Sequence, residues 1–174
     1  MTVTTFTRQY PLRVVGQIVN NHLRISSADG ELYDNAVRCV FNAIDAAEDY
    51  INMPICRTAV LIEGVAEPGV LLPLNVAYAK PTLVKVNGEE VRDGECVVNG
   101  GKVNSYVTVS SAYAEGVALS IEAEVGYDDS TLPGAIYQAV AIVASSFFEQ
   151  NAEAEMSHAA KALLNPYRIY PYEL

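Results

Sequence analysis

The sequence predicts an α+β fold: an α-helical core of about four helices, built on a long central helix over residues 31–52, with an antiparallel β-subdomain inserted into it. Three observations carry this prediction. Apolar residues from Glu31 to Asn52 recur at helical spacing, the middle of the chain switches to strand-like alternation, and helical spacing returns after Pro133. The expected organisation is a single domain over residues 1–174, with the helical core at 11–54 and 130–165 and the β-subdomain at about 56–127. Residues 1–10 and 166–174 are expected to be flexible arms, although the Thr and Val residues of the first could also add a strand to something.

Pro11 opens a short helix over roughly Leu12 to Leu23, with Val14, Val15, Ile18, Val19 and Leu23 able to face a core. The polar break Ser26 to Gly30 follows, and Ser27 or Asp29 is the expected cap of the long helix. On that helix Tyr33, Val37, Val40, Ile44, Ala47 and Ile51 form one stripe, and Leu32, Ala36, Cys39, Ala43, Ala46 and Tyr50 the other. A face that wide needs covering by at least two other elements. Asn52, Met53 and Pro54 end it, because a proline disfavours helical geometry in the residue before it.

Strand patterning covers Thr58 to Val65, Gly69 to Leu74, Pro81 to Val91, Glu95 to Val98, Val103 to Ser110 and Val117 to Tyr127. Asn87-Gly88 matches the two positive-φ positions of a tight hairpin turn, and Asn99-Gly100-Gly101 reads as a second use of the device. The last strand alternates, with Leu119, Ile121, Ala123 and Val125 on one face and Ser120, Glu122 and Glu124 on the other. Asp128 to Pro133 has the chemistry of a helix start, and Ile136, Val140, Val143 and Phe147 stripe the helix behind it. A shorter helix at about 152–164 ends at Asn165-Pro166, followed by the aromatic YRIYPYEL.

Composition narrows the function class. The chain has 51% hydrophobic and 18% charged residues, which is the balance of a folded protein. Net charge is −10 with eleven scattered basic residues, so a surface built to grip nucleic-acid phosphates is not expected. Cys39, Cys56 and Cys96 form neither a disulfide framework nor a metal pair, and a reducing compartment is expected. Neither a signal peptide nor a membrane-spanning run is recognisable.

Candidates for chemistry all have a plainer explanation. His22 and His158 are far apart and lack ligand-spaced neighbours, and His22 is expected to be a partly buried helix residue. Glu31 with Asp34, and Asp45 with Glu48 and Asp49, suggest a carboxylate or cation site only weakly, since they share the polar side of a helix. Asp128-Asp129-Ser130 lacks the alternating ligands of an EF-hand loop. No phosphate-cradling glycine loop or GxSxG motif is present, so no catalytic, cofactor or metal residues are assigned.

The segments YPLRVVGQIVNNHLRI, the helix ending AEDYINMPIC, LPLNVAYAKPTLVKVNGEEV, VGYDDSTLPGAIYQAVAIVASSFFEQ and KALLNPYR follow one another across nearly the whole chain. In that order they resemble the head-tail connector (adaptor, or head-completion) proteins of long-tailed bacteriophages and prophages. The resemblance implies a structural protein of the virion neck, assembled in the host cytoplasm. It further implies a homo-oligomeric ring, twelve-fold in the virion, between a portal protein and a tail-side neck protein. Genomic DNA would pass through the ring without sequence-specific binding, and no cofactor or membrane is implied. The free protein could stay monomeric until it meets a template. The long N-terminal arm and the Tyr-rich end after Arg168 depart from the family pattern.

Tyr167, Arg168, Tyr170 and Tyr172 are the candidate partner-binding residues, since tyrosine brings large contact area at low entropy cost. The tail could equally fold back over its own core. On the docking reading, removing Tyr167 to Leu174 leaves the fold intact and weakens assembly. A related neck or tail-completion component is the alternative within virions. From another class, a small acidic cytoplasmic enzyme or ligand-binding protein would need a pocket of convergent polar groups.

Overall fold

The computed structural model describes residues 2–91, 94–102, 104–113, 115–150 and 155–169. The chain divides into two compact units, Met1–Gln9 with Cys56–Gly126, and Tyr10–Ile55 with Tyr127–Leu174. Together they make the α+β fold that the change of hydrophobic period implies.

The first unit is built of antiparallel strands: β1 (Thr2–Gln9), β2 (Arg57–Ala66), β3 (Leu71–Pro73), β4 (Lys80–Val86), β5 (Glu89–Glu90), β6 (Cys96–Asn99), β7 (Tyr106–Val109) and β8 (Val117–Val125). They form a five-stranded sheet in the order β1-β2-β8-β4-β5 and a three-stranded sheet in the order β3-β7-β6. Inward residues of both sheets, including Val60, Ile62, Ile121, Val107 and Val109, share one apolar core, so the unit is a small sandwich. The alternation of β8 is realised without exception: Val117, Leu119, Ile121, Ala123 and Val125 are buried and the residues between them are not.

The N-terminus corrects the expectation of a flexible arm over residues 1–10. Thr2 to Gln9 pair with β2, from Thr2 opposite Glu63 to Gln9 opposite Arg57, with a register shift between Thr5 and Thr7. The run of Thr and Val there has strand propensity, and a partner far along the chain supplies what a terminal segment lacks locally.

The connection from Leu74 to Ala79 crosses the core as a buried strap between β3 and β4. Leu74, Val76, Ala77 and Ala79 are buried; backbone groups of Leu74, Val76 and Ala79 find partners at Ser105, ahead of β7, and the Ala77 carbonyl accepts from Gly126 N at 2.8 Å. Ser105 is the hub: its carbonyl accepts from Leu74 N (2.8 Å), its amide donates to Val76 O (2.7 Å) and its Oγ accepts from Ala79 N (2.9 Å). A wholly buried serine is tolerated because each polar group is spoken for.

Asn87 and Gly88 take φ of 53° and 86°, the positive pair expected for the β4–β5 hairpin. The glycines at 100–101 do otherwise, correcting the second tight turn. β6 and β7 close with Asn99 opposite Tyr106, leaving a longer connection. Gly100 answers instead to a close approach, since a Cβ there would stand 2.9 Å from the Ala79 carbonyl oxygen.

The second unit holds helices α1 (Leu12–Gln17), α2 (Glu31–Ile51), α3 (Gly134–Gln150) and α4 (His158–Leu164). α1 continues into a π turn, Ile18–His22, where Leu23 N reaches Ile18 O at 3.1 Å, and Arg24 at φ 57° stops it. The expected cap of α2 is also corrected. Ser26 and Asp29 form a reciprocal capping box on the short 3-10 turn Ser27–Asp29, and Gly30 stands at the N-cap of α2 without a side-chain bond.

α2 is covered by α3, with α1, the π turn and α4 alongside. Ala36, Ala43 and Ala47 of α2 and Ala139 and Ala144 of α3 are wholly buried, so small side chains let the helices approach closely. Asn52, left-handed at φ 56°, caps the C-terminus of α2. Ser157 caps α4 through Ala160 N, so this helix starts later than expected; part of the expected start, 152–154, lies outside the described residues.

Candidate functional site

Four of the carboxylates singled out for chemistry, Asp45, Glu48, Asp128 and Asp129, serve the fold instead. The Glu48 carboxylate accepts the Ile55 amide at 2.6 Å, securing the chain as it leaves α2. Asp45 accepts the Tyr10 hydroxyl at 3.0 Å, and Asp129 accepts Val14 N at 3.1 Å, one of the amides that the first turn of α1 cannot satisfy itself. Asp128 Oδ1 accepts from the amides and hydroxyls of Ser130 and Thr131 at 2.7–2.9 Å. Those bonds favour the ionised carboxylate and hold its pKa well below the ordinary 3.8.

His22 is exposed, not partly buried, and its ring lies edge-on to that of Tyr137 with centroids 5.6 Å apart. His158 is exposed at the start of α4. Among the described residues no group of three His, Cys, Asp or Glu could hold a metal ion. Burial pushes the Cys39 thiol up, opposed by the Arg38 charge, and also raises Cys96, which keeps both as poor nucleophiles at neutral pH. The hollow at Glu31, Leu32, Asp34, Asn35 and Arg38 draws its described lining from α2 alone, and a single convex helix does not enclose a ligand. No described helix is long and apolar enough to cross a membrane.

The end of the chain gives the clearest contrast with expectation. Residues 166–169 are not a flexible arm. Asn165, Pro166 and Tyr167 form a 3-10 turn, Ile169 N donates to Ile51 O at 2.8 Å, and Asn52 Nδ2 donates to Ile169 O at 3.0 Å. Tyr50 donates its hydroxyl to Asn165 Oδ1 at 2.6 Å, and the Arg168 guanidinium stacks 4.8 Å above the Tyr50 ring. Ile51 O is one of the carbonyls that α2 leaves without an intrahelical partner, so the returning chain completes that helix. Tyr167 and Arg168 are half-buried here, whereas Tyr170 and Tyr172 lie outside the described residues. Nothing in the sequence marks Tyr50 and Asn52 as the receivers of this segment.

The outer faces of the two sheets differ sharply. Arg57, Glu63, Lys80, Lys85, Glu122 and Glu124 project from the five-stranded sheet, and Arg57 and Glu124 form an ion pair. On the three-stranded sheet the registers Leu71-Thr108-Val97 and Pro73-Tyr106-Asn99 place only uncharged side chains outward. Leu71 is 56% exposed, Val97 47% and Tyr106 38%.

No protein-family model and no curated protein matches the chain. Solved structures do. A chain of the neck of an empty gene transfer agent (GTA) particle, computed with C6 symmetry, aligns over 98% of this chain and 96% of its own with TM-score 0.74 and 18% identity. A chain of the virion of the native GTA particle aligns over the same shares with TM-score 0.68 and 19% identity. A chain of the native particle's neck, computed with C12 symmetry, gives TM-score 0.63 and 16% identity, again over 98% and 96%. Over almost its whole length, then, this chain has the fold of a structural component of a GTA particle neck.

Proposed function

We propose that this protein is a non-enzymatic structural component of a phage-like particle neck, a head-tail connector that forms a ring beneath the portal and above the next tail-side protein. The observation that carries the reading is the end-to-end match in fold to chains of a particle neck computed with C6 and C12 symmetry. The work of such a protein is geometric, which suits a chain whose acidic and polar residues serve turns and helix ends. A net charge of −10 fits a DNA path that must not grip its cargo, because acidic walls repel phosphate. On this reading the protein assembles in the host cytoplasm and ends in the virion neck. Tyr170 and Tyr172 remain proposed anchors for a neighbouring subunit or the portal, and Tyr167 and Arg168 set where that segment departs.

The deciding measurement is mass by light scattering, on the purified protein alone and with the portal protein of the same particle. A ring, or a stoichiometric complex once portal is added, is the expected outcome. A monomer in both conditions, well above micromolar concentration, would overturn the reading.

A further inference from the structure

Among the described residues, nothing covers the uncharged outer face of the three-stranded sheet. Leu71 and Val97 flank Thr108 across three strands, with Pro73, Tyr106 and Asn99 in the next row, and Val70 is exposed beside Leu71. Inward, Val107 and Val109 are buried in the sandwich core and Leu72, Cys96 and Val98 pack against it, so the sheet is held from its inner face. Solvent-facing strands usually carry charge there, and the five-stranded sheet does.

We infer that this face is a contact surface for a second copy of the chain, the neighbouring subunit around the ring. The inference rests on the ring reading above and goes further by assigning the surface. Charge selects the occupant. Each copy carries −10, so two copies repel wherever their acidic surfaces meet, and that repulsion is least where one of the two surfaces in contact carries no charge. A basic foreign partner would be drawn to the acidic surface instead.

Size sets the strength. A standard stable interface uses roughly 20–30 residues a side, far more than this face offers. The contact alone therefore gives weak pairing, and it holds only where ring closure or a template adds further contacts. Because a cyclic ring uses heterologous contacts, the face meets a different surface of the next copy and not its own equivalent.

The test compares three full-length proteins by sedimentation velocity, alone up to roughly 1 mM and with the portal protein. They are the wild type, Leu71→Asp/Val97→Asp, and a control, Thr4→Asp/Ala118→Asp, which adds the same charge to the outer face of the five-stranded sheet. The expected result is association of wild type and control, with the Leu71/Val97 variant weakened by about tenfold or more at an unchanged melting temperature. Association of that variant at wild-type strength would overturn the surface assignment while leaving the ring intact. Equal weakening of the control would also overturn it, as a net-charge effect. A wild type that stays monomeric in every condition would overturn the ring reading, and this inference with it. Should the double variant fold poorly, a photo-crosslinking residue at position 97 of the otherwise unchanged protein is expected to capture a second copy. Capture only within its own chain, in samples that do form rings, would overturn the assignment.

Discussion

Ile169 donates its amide to the carbonyl of Ile51 at 2.8 Å, so the segment following the last helix is fastened to the end of the central one. With Asn52, Tyr50 and Arg168 around it, this contact turns the expectation for the tail into two separate outcomes. Deleting Tyr167 to Leu174 removes the Arg168–Tyr50 stack and both backbone bonds of Ile169, and should cost about 1–3 kcal/mol in urea unfolding. Deleting only 171–174 keeps the contacts of Arg168 and Ile169 and, on the docking reading, should weaken portal binding. Equal stability of both truncations would show that the fastening contributes nothing.

Ser105→Ala leaves the buried Ala79 amide without its acceptor. A loss of about 1–3 kcal/mol is expected, since the desolvation cost of that amide is no longer offset. Chemical denaturation at fixed pH checks it.

The Asp128 turn should show in the pH dependence of stability. Its folded pKa lies below the ordinary 3.8, so its contribution is fully present above that value and is lost as pH falls through the folded one. Asp128→Asn keeps an acceptor but loses the charge. It should be less stable than wild type by roughly 1 kcal/mol at neutral pH, with the gap closing in strong acid. A gap independent of pH would contradict the assignment.

Ala47→Leu inserts bulk at a wholly buried position on α2, where small residues set the helix spacing. A cost of about 1–3 kcal/mol from overpacking is expected, read as a lower melting temperature. The exposed Asn42 on the same helix should accept Leu within roughly 0.5 kcal/mol.

Gly88→Ala places a Cβ at φ 86° in the β4–β5 turn, and should destabilise by about 1 kcal/mol through backbone strain alone, because no atom crowds that position. Thermal unfolding checks it.

What could be read from the residues was whatever neighbouring positions decide together. The stripes of α2 from Ala36 onward, though not Leu32, which is 49% exposed, the alternation from Val117 to Val125 and the Asn87-Gly88 turn each depend on periods or torsions contained within a few residues. Features fixed by distant partners were misread. Met1 to Tyr10 looked like an arm because β2, its partner, begins at Arg57. Gly100 looked like a turn residue, and its real constraint is the Ala79 carbonyl. Glu48 looked like part of a solvated face until the chain folded Ile55 back onto it. The uncharged sheet face was hidden for the same reason: Leu71, Val97 and Tyr106 become neighbours only through strand register.

The pairing of β1 with β2 also has a consequence for synthesis on the ribosome. Gln9 must wait for Arg57, and Thr2 for Glu63, before the edge of the larger sheet can close. At roughly 5–20 residues per second, the first strand is made several seconds before its mate. During that interval it is a strand without its mate, able to pair with the β2 of another copy emerging nearby. If the protein is made in many copies, as the connector reading implies, that interval is the window in which nascent copies could exchange strands.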